Sequence, residues 1–214
     1  HITVKLPGDK EHFLINPYGL HYSEVKASNL VKVDIKGNIV EETAYAVNPA
    51  GMVIHTAIHE ARTDVQCITH THTTAGMAIA CSTEGLRHDN FYSALLHNRI
   101  AYHDFEGITV MDDEKPRLVN NLADKNILIL RNHGLLTCGR SIAEAFQAMW
   151  GLERACEVQV AADSTGHDTI PVGPEVLAKT EQLMTLQAMG GPAGSLEFEA
   201  LTRVIEKIDP SYKE

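Results

Sequence analysis

The run Ile127-Leu128-Ile129-Leu130 constrains this chain more than any other feature. Four consecutive apolar residues leave no polar face, so a strand built from them must be covered on both sides. The chain must therefore supply a core that can bury it. Its 214 residues, 44% hydrophobic and 21% charged, suffice for one large core and leave little for a second. We expect one domain over residues 1–165, with residues 166–214 as a helical docking tail of the same domain. In that tail Pro171, Gly173, Pro174 and the Gly190-Gly191-Pro192-Ala193-Gly194 linker separate a helix around Val176 to Leu186 from an amphipathic one around Phe198 to Ile208.

Elsewhere the pattern alternates between strand and helix periods. His1 to Lys5 reads as a strand rather than a signal peptide, and the lack of an initial Met points to something upstream having been cut or omitted. Val31, Val33 and Ile35 alternate with polar residues before a Lys36-Gly37-Asn38 turn and Ile39-Val40, the signature of a hairpin. From Met52 to Arg62, Ile54, Ile58 and Ala61 form the buried stripe of a helix whose other stripe carries Met52, His55, His59 and Arg62. Val65 to His72 is a strand, and Thr73-Thr74 can cap the helix after it. Short strands follow at Ile100 to Tyr102 and Ile108 to Val110, then a helix opened by Pro116 and carrying Leu118 and Leu122. Leu135 to Cys138 returns as a strand. Ser141 to Glu144 matches a capping box for a long helix with a stripe of Ile142, Phe146, Met149, Leu152, Cys156 and Val160.

Charge and cysteine usage narrow the partners. A formal net charge of −10 repels phosphate backbones and anionic lipid, so neither nucleic acid nor a membrane is an expected partner. No run approaches the roughly 18 apolar residues of a membrane span. Cys67, Cys81, Cys138 and Cys156 are scattered through apolar contexts without a CxxC pair, which fits reduced core thiols and a cytoplasmic protein.

Histidine is the compositional outlier, with 12 copies. In a strand, period two puts His70 and His72 on one side with Cα atoms about 7 Å apart, close enough for both rings to reach one ion. A helix N-terminus follows at Thr73, and sites collect at strand ends in α/β folds. His133 closes the very apolar strand, just before Gly134, and is the natural third ligand. Three imidazoles leave one or two coordination positions open, the pattern of catalytic rather than structural zinc. Zinc is the first choice of metal, with manganese, iron or cobalt as alternatives.

These residues resemble the class II aldolase/adducin family, whose metal histidines lie in an HxH and a later NHG. The likeness runs from His1 to about Asp163 through Asn16-Pro17-Tyr18-Gly19, Asn48-Pro49-Ala50-Gly51, His70-Thr71-His72, Tyr102-His103-Asp104, Arg131-Asn132-His133-Gly134-Leu135-Leu136 and Ala155-Cys156-Glu157. Its wording is closer to adducin heads and their bacterial relatives than to sugar-phosphate aldolases. The resemblance implies an α/β fold, a three-layer α/β/α sandwich around a mainly antiparallel central sheet, assembled as a homotetramer with sites between subunits. Two departures stand out. Gly51 occupies the place of the aldolases' acid/base carboxylate, and Pro49-Ala50 and Tyr18-Gly19 stand where they bind substrate phosphate.

The expected activity is divalent-metal-dependent carbon–carbon cleavage of a small, non-phosphorylated hydroxy-oxo acid or aldehyde. A non-catalytic adducin-like oligomerisation module and a decarboxylase of aromatic or heterocyclic acids are the alternatives. His55, one turn beyond Gly51, is the candidate proton carrier, with a surface or supporting role as its alternative, while His59 and Glu60 are expected to face solvent. The resemblance assigns a proton donor serving a neighbouring subunit to Tyr102 or His103. Arg131, the helix end at Thr73, and Tyr18-Gly19 are the candidate substrate contacts.

Overall fold

The computed structural model describes residues 1–8, 12–108, 112–189 and 193–214. Among the described residues, seven strands form one sheet: β1 (Ile2–Lys5), β2 (His12–Ile15), β3 (Val31–Asp34), β4 (Cys67–Thr71), β5 (Ile100–His103), β6 (Ile127–Leu130) and β7 (Gly134–Gly139). Their order is β3-β2-β1-β4-β7-β6-β5, and every neighbouring pair is antiparallel except β5 with β6. The helices are α1 (Pro49–Ala61), α2 (Thr74–Cys81), α3 (Phe91–Leu95), α4 (Lys115–Leu122), α5 (Ile142–Ser164), α6 (Pro174–Met189) and α7 (Ser195–Ile208).

The apolar run behaves as its composition requires. Leu128 and Leu130 pack with Ile54 and Ile58 of α1 and Leu118 and Leu122 of α4. Ile127 and Ile129 face the opposite way, against Ile79 of α2 and Met149, Leu152 and Cys156 of α5. Helices therefore cover this half of the sheet on both faces, giving the three layers. Over β2 and β3 the core continues as Phe13, Ile15, Val31 and Val33 around Met52.

Several expectations need correction. His59 is 4% exposed and stacks on Phe13 at 4.4 Å, because α1 lies over the sheet with Ile54 and Ile58 on one stripe and His55 and His59 on the other all buried, while Ala61 at the helix end is exposed. On α5, Ile142 and Val160 are exposed; the buried stripe uses Ala145, Ala148 and Ala155, whose small side chains let the helix sit close to the sheet. Cys81 is exposed at the end of α2, unlike the other three cysteines. Ile39 and Val40 return on β3 through a single bridge rather than a full strand. Thr109 and Val110 of the expected strand lie outside the described residues.

The tail leans on α5. Phe198 meets Phe146 at 5.5 Å, and Gly194, at φ +77°, lies so close that a Cβ there would stand 2.6 Å from that of Gln147. Leu196, Leu201, Val204, Ile205 and Ile208 of α7 remain exposed. Among the described residues, no helix is long and apolar enough to cross a membrane.

Candidate metal centre

β4 carries His70 as its last residue but one, with His72 just beyond its end at Thr71, and the tight connection between β6 and β7 carries His133 against them. Antiparallel pairing of β4 with β7 sets Thr71 opposite Leu135 and brings the two strand ends together. Asn132 makes the reversal at φ +56°, a left-handed conformation that Asn tolerates better than most residues. Gly134 is needed for proximity: a Cβ there would lie 2.4 Å from the Thr71 carbonyl oxygen and 2.9 Å from the His72 ring.

The three rings point at one another. Their centroids are 4.6 to 4.9 Å apart, and one nitrogen from each falls in a group whose members lie within 4.8 Å of one another. His70 Nδ1 donates to the Leu135 carbonyl at 2.8 Å, which fixes its tautomer and leaves the Nε2 lone pair facing His72 Nε2, also at 2.8 Å. Burial, followed by the neighbouring imidazoles of His133 and His72, pulls the His70 pKa down to about 3. Burial also lowers those of His72 and His133. Neutral imidazoles with converging lone pairs are the donor set that divalent zinc, or a neighbouring transition ion, binds, so the residues fit such a metal.

A cavity of about 530 Å³ opens beside this cluster, its lining including His1, His70, His72, Thr73, Tyr22 and Phe146. Thr73 is the N-cap of α2, but its hydroxyl donates to Glu153 at 2.5 Å instead of capping the helix.

The other candidates are spread more widely. Arg131 donates to the Ser82 carbonyl at 2.8 Å and its guanidinium lies over the Tyr102 ring at 4.5 Å. The Tyr102 hydroxyl accepts from the Leu86 amide at 2.9 Å. His103 is buried with both nitrogens engaged: Asn121 donates to Nδ1, and Nε2 donates to Glu114. Tyr18 is exposed on a loop, its amide bonded to the Ala46 carbonyl, and Gly19 beside it takes φ +91°. His55 is 1% exposed and bonds to Thr3 rather than lining the cavity.

Sequence reasoning passed over His1, Thr3, Glu114 and Glu153. His1 exchanges backbone hydrogen bonds with His70, its Nε2 accepts from Asn48 Nδ2 at 3.1 Å, and its ring packs on Gly51 where a Cβ would come within 2.8 Å. The available signal was the pairing of β1 with β4, which no local pattern reveals.

Comparison with known proteins agrees with this geometry. The family model described as Class II Aldolase and Adducin N-terminal domain matches residues 1–160. A crystal structure of an aldolase II superfamily protein from Pseudomonas syringae is 45% identical, with a TM-score of 0.93 over 100% of this chain and 86% of that one. An L-fuculose 1-phosphate aldolase from Glaciozyma antarctica is 32% identical, with a TM-score of 0.85 over 100% of this chain and 82% of its own. Alpha-adducin of Rattus norvegicus is 41% identical over 221 residues, which take in 97% of this chain but 30% of the adducin. Histidine cluster, sheet order and relatives converge: this chain belongs to the class II aldolase and adducin family.

Proposed function

We propose that this protein is a divalent-metal-dependent carbon–carbon lyase of the aldolase type, acting on a small, non-phosphorylated hydroxy-oxo acid or aldehyde. The observation that carries the reading is the convergence of three neutral imidazoles from two strand ends beside an open cavity. His70, His72 and His133 would hold the ion, zinc first, which when bound supplies a Lewis acid that polarises a substrate carbonyl. The hydrogen bond from His70 Nδ1 to Leu135 orients that ligand in advance. The N-terminus of α2 at Thr73 presents free backbone N–H groups to an anionic substrate group, and Arg131 reinforces the same preference near the β6–β7 connection.

The L-fuculose 1-phosphate aldolase among its relatives supports the reaction class. Pro49 and Ala50 offer no side-chain donor to a phosphate, and proline lacks the backbone N–H, which supports a carboxylate instead. Two other readings each have an observation behind them. The identity with alpha-adducin, together with a Gly51 that offers no acid/base side chain, favours a non-catalytic oligomerisation module. Tyr22 and Phe146 on the cavity wall favour decarboxylation of an aromatic or heterocyclic acid. We also infer a cytoplasmic homotetramer with sites between subunits, for which the exposed apolar face of α7 supplies contact surface and in which Tyr102 or His103 would serve the adjoining site.

The deciding experiment screens the zinc-loaded protein against three- to six-carbon hydroxy-oxo acids and aromatic acids, recording aldehyde and CO₂ release separately. Aldehyde release supports the lyase, CO₂ alone supports the decarboxylase, and neither supports the binding module.

A further inference from the structure

A second cavity, of about 860 Å³, opens at the end of the sheet away from the histidines. It lies where β4 begins and β7 ends: Cys67 pairs with Gly139 there, whereas Thr71 pairs with Leu135 at the histidine end. Its lining joins the foot of the sheet and α3 to the tail, the last through Glu181 and Met184 of α6 and Leu196 of α7.

Four cations line it: Arg62, Arg99, Lys125 and Arg140. Three are answered by their own neighbours. Arg62 gives Nε and Nη2 to Asp64 and Nη1 to the Ala123 and Lys125 carbonyls. Arg140 is paired with Glu144, and Lys125 Nζ donates to Asn98 and stands 3.6 Å from Asp124. Arg99, half-buried just before β5, differs. Its Nε donates to Asn126 Oδ1 at 3.3 Å, but among the described residues Nη1 and Nη2 find no acceptor and no carboxylate pairs with it. No acidic residue stands in the chain between Glu181 and Glu197, so the connection from α6 to α7 holds no carboxylate to supply. Burial pulls the Arg99 pKa below its ordinary value against the opposing Glu144 charge. A guanidinium taken partly out of water with both terminal nitrogens open is a cation that lacks its anion.

We propose that this cavity is a second ligand site, in which Arg99 receives the carboxylate of a small monoanion that carries an apolar group. The planar edge formed by Nη1 and Nη2 matches the two oxygens of a carboxylate. Asn126 adds a donor: its Oδ1 is held by Arg99, which leaves its amide N–H groups for the ligand. The other lining charges select against a dianion, because Asp64, Asp124, Glu144, Glu181 and Glu197 outnumber the four cations. Phe91, Leu95, Met184 and Leu196 supply apolar surface for the rest of the molecule, and Phe91 and Leu196 are 73% and 77% exposed without it. The site stands apart from the metal centre and does not depend on the reaction proposed there.

The test is calorimetric titration of the full chain with benzoate, with benzamide as its uncharged counterpart and with inorganic phosphate, while ¹⁵N-arginine spectra follow the Arg99 Nε–H. Benzoate should bind saturably and shift that signal, with the same Arg99-dependent affinity in zinc-loaded and metal-free protein; benzamide and phosphate should bind more weakly. Arg99→Met, which keeps the apolar stem, should weaken benzoate by at least about 10-fold. Leu196→Glu, a like charge at an exposed position, should also weaken it and serves if Arg99→Met does not fold. Equal binding of benzamide, tighter binding of phosphate, or unchanged benzoate affinity in Arg99→Met, or in Leu196→Glu where Arg99→Met does not fold, would overturn the site. So would a wild type that binds no benzoate; if Arg99→Met then also lowers the assembly mass, a carboxylate of a second copy occupies the place instead.

Discussion

Gly134→Ala tests how the metal centre is assembled. A Cβ at 134 would lie 2.4 Å from the Thr71 carbonyl oxygen, whereas carbon–oxygen contacts settle near about 3.3 Å. The β6–β7 connection must then retreat from β4 by roughly 0.9 Å, the difference between those distances. The clash is with backbone, so no side chain can rotate away. Overpacking of this kind costs about 1–3 kcal/mol, which in a chain of this size lowers the melting temperature by roughly 3–10 °C. His133 moves with the connection, and a displacement several times the ~0.2 Å tolerance of a zinc–nitrogen bond should weaken zinc binding by at least about 10-fold. Thermal unfolding and competitive zinc titration measure the two effects, with Gly151→Ala as control, since nothing lies within 4 Å of a Cβ there and Ala favours a helix. Wild-type melting and zinc affinity in Gly134→Ala would refute the close-approach argument.

Acid should unfold the protein partly through α1. Burial, then the Lys5 charge, holds the folded His59 pKa at about 3, below its ordinary 6.5, so the stabilisation is complete above pH 6.5 and is lost as pH falls toward 3. Between pH 7 and 4.5 this one group removes about 2–3 kcal/mol, and His59→Gln should flatten the denaturant-midpoint slope over that window; an unchanged slope contradicts the assignment. Light scattering at micromolar concentration should give a tetramer mass, and Val204→Glu on the exposed face of α7 should reduce it; a monomeric wild type rules out shared sites. Matched carboxylated and phosphorylated hydroxy-carbonyl compounds should differ in kcat/KM, or in affinity if none turns over, by several orders of magnitude in favour of the carboxylates, because two or three charge-assisted bonds of about 1.5–3 kcal/mol each are missing for phosphate; the reverse preference sinks that substrate class.

The legible parts of the fold were those whose signal is local. Ile127 to Leu130 announced a doubly covered strand because no polar residue interrupts it, and the structure divides its side chains between two helix layers. His70 and His72 share a side because a strand repeats every two residues, and the turn at Asn132 and Gly134 then delivers His133. The second stripe of α1 misled because imidazoles look like solvent-facing groups. Their burial depends on a hydroxyl from Thr3 more than 50 residues away, which periodicity does not register. On α5 a hydrophobicity pattern favours Ile142 and Val160, while the close approach of helix to sheet selects the alanines. The site's surroundings were hidden for the same reason: His1 reaches the cluster through cross-strand pairing and through the space that Gly51 leaves open.

The most direct test of the account is the metal content of the purified protein beside that of His133→Ala. The account predicts about one divalent transition ion per chain in the wild type and none in the variant, with the variant still folded by circular dichroism, since His133 sits in a tight connection outside the apolar core. Stoichiometric metal in His133→Ala, or a wild type that binds none when zinc is supplied, would contradict it.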